Sequence, residues 1–395
     1  MIRVTHYINS LDPSRGGVVA HVSDLAVLTQ NAGAKVTIAS PYAHPHPGNL
    51  DYEGGPTIVD LGPPIKYALL LRKDQIRQVL ELSANSDITH LHTAWTPANI
   101  QIAKALRRYN IPYVITPHGM LDDWCLSYHP IRKRIFLGLF GKRVFSESKG
   151  VLYCAAGEQA QSEKWTGGAP GHVVPAAMDI KLYEDLPGPD RARSSVSGAD
   201  GETPVILFLS RIDHKKGLEV LIDAAAILAS RSRQFRVIIA GTGTNAYTEE
   251  IKSRIKSKGL HDHVYFAGLV RGVEKVSLYQ RASLLALPTK QENFGLVLTE
   301  SLAAKTPVIT TRGVDIYPEI EACNGGLIVD RTPEAFADAI EELLEDPERC
   351  SRMGETGRAW VMKDLAPDRL ADQFMKIYST SLARSQSQSP TGSIN

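Results

Sequence analysis

Two glutamates, Glu292 and Glu300, bracket the stretch Glu292-Asn293-Phe294-Gly295-Leu296-Val297-Leu298-Thr299-Glu300, directly after the apolar run Ser283-Leu284-Leu285-Ala286-Leu287-Pro288. This order predicts a strand, a short loop carrying one carboxylate, and a helix carrying the second. A helix that starts at Gly295 and Leu296 leaves backbone N–H groups unpaired there, and such groups attract phosphate. The carboxylates can accept hydrogen bonds from hydroxyls or steady a developing positive charge. Paired glutamates at this spacing also occur on solvated helix faces, so a second segment has to narrow the reading. Ser210-Arg211-Ile212-Asp213-His214-Lys215-Lys216-Gly217 follows another apolar run, Val205-Ile206-Leu207-Phe208-Leu209. Two cations in a strand-to-helix loop make a diphosphate clamp, Arg211 through its planar fork and Lys216 as a point charge. Phosphate, hydroxyls and a cationic carbon together describe a nucleotide-sugar.

These segments need a frame that brings strand ends together. Short apolar runs alternate with helical patterns, which predicts α/β architecture with parallel sheets covered on both faces. Strands are expected at residues 2–8, 35–40, 57–60, 88–91, 112–116, 151–153 and 172–174, then at 205–209, 235–240, 263–266, 283–287, 307–310 and 326–329. Helices fit 18–32, 67–84, 97–109, 131–146 and 158–166, then 216–230, 246–259, 273–281, 296–304, 333–345 and 347–362. Residues 186–204, rich in Pro, Gly, Ser, Asp and Arg, read as a mobile loop between two domains, 1–180 and 205–365. Leu370, Phe374 and Ile377 recur at helical spacing in 366–380, and the polar residues 381–395 read as a disordered tail. Ligands of open parallel sheets lie beyond the C-terminal strand ends.

Other residues at strand ends carry two readings each. Gly16-Gly17 either makes a plain turn or lets backbone approach a phosphate or sugar. Gly241-Thr242-Gly243 poses the same choice. No G-x-G-x-x-G run exists, so a dinucleotide fingerprint is not supported. His118-Gly119 follows Val114-Ile115-Thr116-Pro117; a lone histidine is more often a structural hydrogen-bonder than a functional one. His90 and His92 sit on alternate positions of one strand and are weaker candidates for a ligand-facing role.

Together these motifs resemble the retaining glycosyltransferases of glycosyltransferase family 4. The resemblance implies the GT-B architecture, two Rossmann-like doubly wound parallel-sheet domains facing a cleft, with a C-terminal helix crossing back to the first. It implies that Arg211 and Lys216 hold the donor diphosphate, and that Glu292 and Glu300 contact donor sugar and ribose. Donor contacts are implied for Gly17, Gly241, Gly243, Val270, Asn293, Phe294, Gly295 and Leu296. Val270 would touch the base through its main chain. Acceptor contacts are implied for Gly16 and His118, with His118 also orienting the donor sugar. Pro117-His118-Gly119-Met120-Leu121 is similar to the form found in exopolysaccharide and cell-surface glycan transferases. Two departures stand out. Val174-Pro175-Ala176-Ala177-Met178-Asp179 replaces the usual Pro-Asn-Gly-Val-Asp, and Lys305 replaces a glycine.

With 395 residues and a net charge of +1, the chain suits two or more domains and has no bulk attraction for nucleic acid. Four scattered cysteines have no metal-ligand spacing and read as reduced thiols. No run of about 18 apolar residues exists, and none precedes the first strand, so a cytoplasmic protein is expected. Between Tyr128 and Lys149 six cations face one acid, Glu147. Arg132, Lys133, Arg134, Lys142 and Arg143 lie in an amphipathic pattern. It is a solvated helix with its apolar side in the core, a rest for an anionic membrane surface at the inner face of the cell membrane, or a receiver for a lipid diphosphate.

The expected reaction moves a sugar from a UDP- or GDP-linked donor to a hydroxyl of a glycan or lipid-linked acceptor. Retention and the absence of a cofactor or metal are implied by the resemblance and by the two phosphate cations. The alternatives are a GT-B nucleotide-sugar 2-epimerase, a starch-synthase-like enzyme, or a catalytically silent nucleotide-binding subunit.

Overall fold

The computed structural model describes residues 1–65 and 70–387, the last four of these by backbone alone. The chain divides into two compact units: residues 1–178 with the segment from Pro367 onward, and Asp179–Ala366.

Unit 1 holds a seven-stranded parallel sheet in the order β3-β2-β1-β4-β5-β6-β7. Its strands are β1 (Arg3–Tyr7), β2 (Lys35–Ser40), β3 (Thr57–Asp60), β4 (Ile88–His92), β5 (Tyr113–Thr116), β6 (Gly150–Tyr153) and β7 (Gly171–Val173). Alternate residues enter two cores. Tyr7, Leu91, Tyr113 and Ile115 pack on one face, against Ile102 and Leu106 of helix Pro97–Arg108. The opposite face meets Val19, Val22 and Ala26 of helix Gly17–Asn31. Helix Pro367–Ser387 packs on that helix, burying Leu370, Phe374 and Tyr378.

Unit 2 holds a six-stranded parallel sheet in the order β10-β9-β8-β11-β12-β13. These are β8 (Val205–Leu209), β9 (Arg236–Ala240), β10 (Val264–Gly268), β11 (Leu284–Leu287), β12 (Val308–Thr310) and β13 (Gly326–Ile328). The central strands β8 and β11 are apolar without alternation because helices cover both faces. In each sheet the strand order reverses once, between β1 and β4 and between β8 and β11. Loops diverge there and leave a crevice beyond the strand ends.

All thirteen expected strands form. The differences lie between them. Residues 186–204 are not an irregular loop: helix Asp190–Ser195 forms there and packs on helix Gly272–Arg281. The Ser277 hydroxyl accepts from the Ala192 N–H at 3.0 Å, and the Arg281 guanidinium donates to the carbonyls of Ala199, Gly201 and Thr203. A polar composition hid this because one arginine, not an apolar stripe, gathers the turns. The expected helix 67–84 starts at Lys73, with 67–69 outside the described residues. The segment read as a disordered tail continues the last helix to Ser387, and 388–395 lie outside the described residues. The expected helix 131–146 forms as Pro130–Phe136 and Lys142–Ser146, joined by a wide π turn at Leu137–Gly141.

Candidate functional site

The reversal point of the second sheet assembles the site of unit 2. The β8 loop closes as a short 3₁₀ turn, His214–Lys216, capped by the Asp213 carboxylate, which accepts from the Lys215 N–H at 2.9 Å. Gly217 then starts helix Leu218–Ser230 with φ +74°. A Cβ on Gly217 would lie 1.9 Å from the Pro288 carbonyl oxygen, so only glycine allows the two loops to cross so closely. The loops are tied along their backbones as well. The Lys215 carbonyl accepts from the Lys290 N–H at 2.8 Å and from the Thr289 hydroxyl at 3.1 Å.

Across this seam the Lys216 ammonium pairs with the Glu292 carboxylate. Lys216 is buried, and burial lowers its pKa to about 7, helped by repulsion from Lys215 and Arg211. The ion pair with Glu292 works in the opposite sense. Arg211 is exposed and makes no ion pair among the described residues, so its fork is open to a ligand. Glu292 is positioned by its own backbone: its N–H donates to the Gly313 carbonyl at 2.8 Å and its carbonyl accepts from Asp315 N–H at 3.0 Å.

Gly295, at φ +69°, caps helix Leu296–Ala303 in the left-handed conformation. Glu300 on that helix receives hydrogen bonds from the Lys275 ammonium at 2.7 Å and the Tyr279 hydroxyl at 2.9 Å. Two carboxylate oxygens leave acceptor capacity for a further hydroxyl beside these partners. Phe294 and Val270 are buried, so only their main chains can reach a ligand. Asn293 is partly exposed next to Glu292.

Gly241 and Gly243 have a structural reason of their own. Cβ atoms there would lie 1.9 Å from the Ser210 carbonyl oxygen and 2.1 Å from that of Ile212. The β9 loop thus runs against the β8 loop and holds Arg211 in place. Gly16, in contrast, has φ +86° and open space where a Cβ would sit, and Gly17 begins helix Gly17–Asn31.

The reversal point of the first sheet gathers histidines. His118 and Gly119 follow β5 with φ +55° and +70°. Left-handed backbone at a non-glycine residue costs energy and persists where the surroundings enforce it. The buried Glu158 carboxylate does so, accepting from the N–H groups of Gly119 at 2.5 Å and Cys154 at 2.7 Å. His90 and His92 do not face a ligand: both are fully buried, beside His6. His118 is partly exposed. One ring nitrogen each of His6, His90 and His92 fall within 4.8 Å of one another, as do ligand atoms of His21, His118 and Cys154.

The sequence pattern brought Arg211, Lys216, Glu292, Glu300 and Gly295 to one sheet edge, and the fold joins them there. It missed Lys275, Tyr279, Glu158, His6 and His21, whose roles depend on neighbours distant in the chain. No local spacing carried a signal for any of them.

Known proteins resemble both halves of the chain. Residues 15–182 match the model of Glycosyltransferase Family 4, and residues 190–360 that of Glycosyl transferases group 1. Over 191 residues the chain is 37% identical to D-inositol 3-phosphate glycosyltransferase of Corynebacterium glutamicum, covering 46% of this chain and 45% of that protein. The match thus spans about half the length of that relative. A GDP-mannose-dependent alpha-(1-6)-phosphatidylinositol monomannoside mannosyltransferase of Mycobacterium tuberculosis is 24% identical over 392 residues, 94% of this chain and 96% of its own. The Anabaena protein HepE, solved with UDP and glucose, shares the fold at a TM-score of 0.79 and 18% identity, over 96% of this chain and 100% of its own. Two domain models in the expected order, on two doubly wound sheets of GT-B type, place this chain in the glycosyltransferases, as a family 4 domain followed by a group 1 domain.

Proposed function

We propose that the protein moves a sugar from a UDP- or GDP-linked donor to a hydroxyl of a glycan or lipid-linked acceptor, retaining the anomeric configuration and using no metal, in exopolysaccharide or cell-surface glycan synthesis. The observation that carries this reading is the Lys216–Glu292 pair beside the Gly295 helix start at the sheet reversal. The relatives support a nucleotide-sugar donor: one is named as GDP-mannose-dependent and HepE was solved with UDP and glucose. In the reaction the acceptor oxygen bonds the anomeric carbon as its bond to the diphosphate oxygen breaks. Nucleoside diphosphate leaves with the electron pair, and its departing oxygen takes up the proton that the acceptor hydroxyl loses. Arg211, Lys216 and the amides at Gly295 and Leu296 offset the charge growing on the diphosphate, and such preorganised groups dominate many catalysed reactions. Glu292 faces the sugar, Glu300 the ribose, and His118 orients the donor sugar.

Lys216→Ala and Glu292→Gln should each lower transfer by about 10²–10³-fold while the fold persists, the scale for losing one such group. Near-normal transfer by either variant would refute the assignment. A thermal-shift screen against UDP, GDP and ADP identifies the base, because a ligand that binds only the folded state raises the midpoint.

The basic segment supports a membrane surface as partner. Its helix buries Leu137, Val144 and Phe145, yet Ile131, Ile135, Leu139 and Phe140 are exposed on another side. An exposed apolar stripe beside Arg132, Arg134, Lys142 and Arg143 suits an anionic lipid surface. Lys133 is held apart: its ammonium donates to the Cys125 carbonyl at 2.5 Å and lies over the Trp95 ring. Co-sedimentation with phosphatidylglycerol vesicles should fall on replacing Ile135 and Leu139 by Ser, with no binding to neutral vesicles. Equal binding of the variant would remove this surface from the reading.

A further inference from the structure

Three histidines of unit 1 form one hydrogen-bonded line. His6 Nδ1 lies 2.9 Å from His92 Nε2, and His92 Nδ1 lies 3.1 Å from His118 Nε2. The sheet sets this spacing: His6 pairs with His90 across β1 and β4, and His92 follows on the same face. Helices Gly17–Asn31 and Pro367–Ser387 seal that face, and His6 and His92 are at most 1% exposed. His90 stands outside the line, with Nδ1 3.0 Å from the Tyr378 hydroxyl and Nε2 2.7 Å from the Thr116 hydroxyl.

Burial holds His6, His92 and His118 below the usual histidine range, His6 at about 3. Each ring is therefore neutral near pH 7, with one donor and one acceptor nitrogen. A line of neutral imidazoles can run in only two directions. In one, His118 Nε2 donates to His92, His92 Nε2 donates to His6, and His6 ends with a proton on Nε2. In the other, every proton sits on Nδ1. The end of the line decides between them, because His6 Nε2 is buried with no hydrogen-bond partner among the described residues. In the second direction this nitrogen is a bare lone pair, and buried donors are left unpaired more rarely than buried acceptors, so the first direction is disfavoured.

We infer that His6 and His92 are positioning residues that fix His118 as the Nδ1–H tautomer, so that it offers a hydrogen-bond donor to a ligand oxygen. Nδ1 of His118 makes no hydrogen bond among the described residues and is the ring nitrogen left for a ligand. The class of ligand group follows: an oxygen acceptor, such as a sugar hydroxyl oxygen, and not an N–H or an ammonium. The line also explains why the left-handed turn at His118 is enforced by Glu158, since the ring must stay in register with His92. A metal at His6, His90 and His92 is a poorer account of the same cluster. Five of their six nitrogens are used: His90 Nδ1 and Nε2 by Tyr378 and Thr116, His92 Nδ1 by His118, and His92 Nε2 and His6 Nδ1 by each other.

This inference rests on the proposed sugar-binding role of His118 only for the identity of the ligand, and its test is independent of turnover. In the full chain labelled with ¹⁵N-histidine, long-range ¹H–¹⁵N spectra report which nitrogen of each ring carries the proton. His118 is assigned by comparison with His118→Gln. The wild-type spectrum should show the proton of His118 on Nδ1. His92→Phe, which keeps a ring but removes the donor, should move it to Nε2 in most molecules. His92→Asn, whose amide N–H can stand at the Nδ1 position, should keep it on Nδ1. A wild-type proton on Nε2, or a His118 tautomer unaffected by His92→Phe, overturns the inference. If His92→Phe does not fold, the wild-type and His92→Asn spectra still decide. Absence of transfer with the expected tautomers would count against the sugar-transfer reading and leave this one standing.

Discussion

Lys216 has a consequence that extends past its charge. It is buried with a pKa lowered to about 7, first by burial and then by Lys215 and Arg211. Below that value the ammonium is present; above it the free protein loses the cation. A bound diphosphate adds negative charge nearby and raises the pKa again, so binding takes up a proton when the free lysine is neutral. UDP or GDP affinity should therefore be greatest below pH 7 and weaken above it, by up to about tenfold per pH unit for one linked proton. Calorimetry in two buffers of different ionisation heat measures that proton. Lys216→Arg, always charged, should flatten the profile. A flat wild-type profile between pH 6.5 and 8.5, taken as about two units around the value, would show that Glu292 keeps the lysine protonated.

Elements are held by a few positions where backbone shape decides. Gly217→Ala would place a Cβ into the Pro288 carbonyl, and its φ of +74° adds strain. Overpacking of this kind costs about 1–3 kcal/mol or more, and a lowered denaturation midpoint should show it. Lys305 gives the opposite case. It stands where the family resemblance implies a glycine, and it takes φ +67°. Its ammonium meets Glu355 at 2.8 Å, an exposed pair of little worth. Lys305→Gly should relieve left-handed strain and gain about 0.5–1 kcal/mol after the added chain entropy of glycine. A fall in midpoint would mean that the ion pair outweighs the strain. Across Val174 to Asp179, the other departure, the Ala177 N–H donates to His21 Nδ1 at 3.0 Å and the Asp179 carboxylate caps the Lys181 N–H.

At the scale of the molecule, unit 1 is completed by a helix from the far end of the chain. Phe374 is 2% exposed, and its neighbour Tyr378 bonds His90 on β4. Phe374→Ala should cost unit 1 about 3–5 kcal/mol, the range for a large aromatic lost from a core. Hydrogen exchange should then quicken in β1 and β4 and stay unchanged in β8 and β11. Uniform quickening would mean that the two units do not unfold separately.

The thirteen strands and the polar loops after β8 and β11 could be read from residue order, because apolar runs and their punctuation are local properties of a chain. So could the strand-end places of Arg211, Lys216 and Gly295, where a phosphate is proposed to bind, since each needs only its position after an apolar run. Which carboxylate meets Lys216, why Glu300 is held by Lys275 and Tyr279, and how Glu158 shapes the His118 turn could not. Those pairs join residues far apart in sequence, and only the strand order brings them within hydrogen-bond reach. The histidine line is the clearest case: three separate residues become one donor only when β1, β4 and β5 lie side by side.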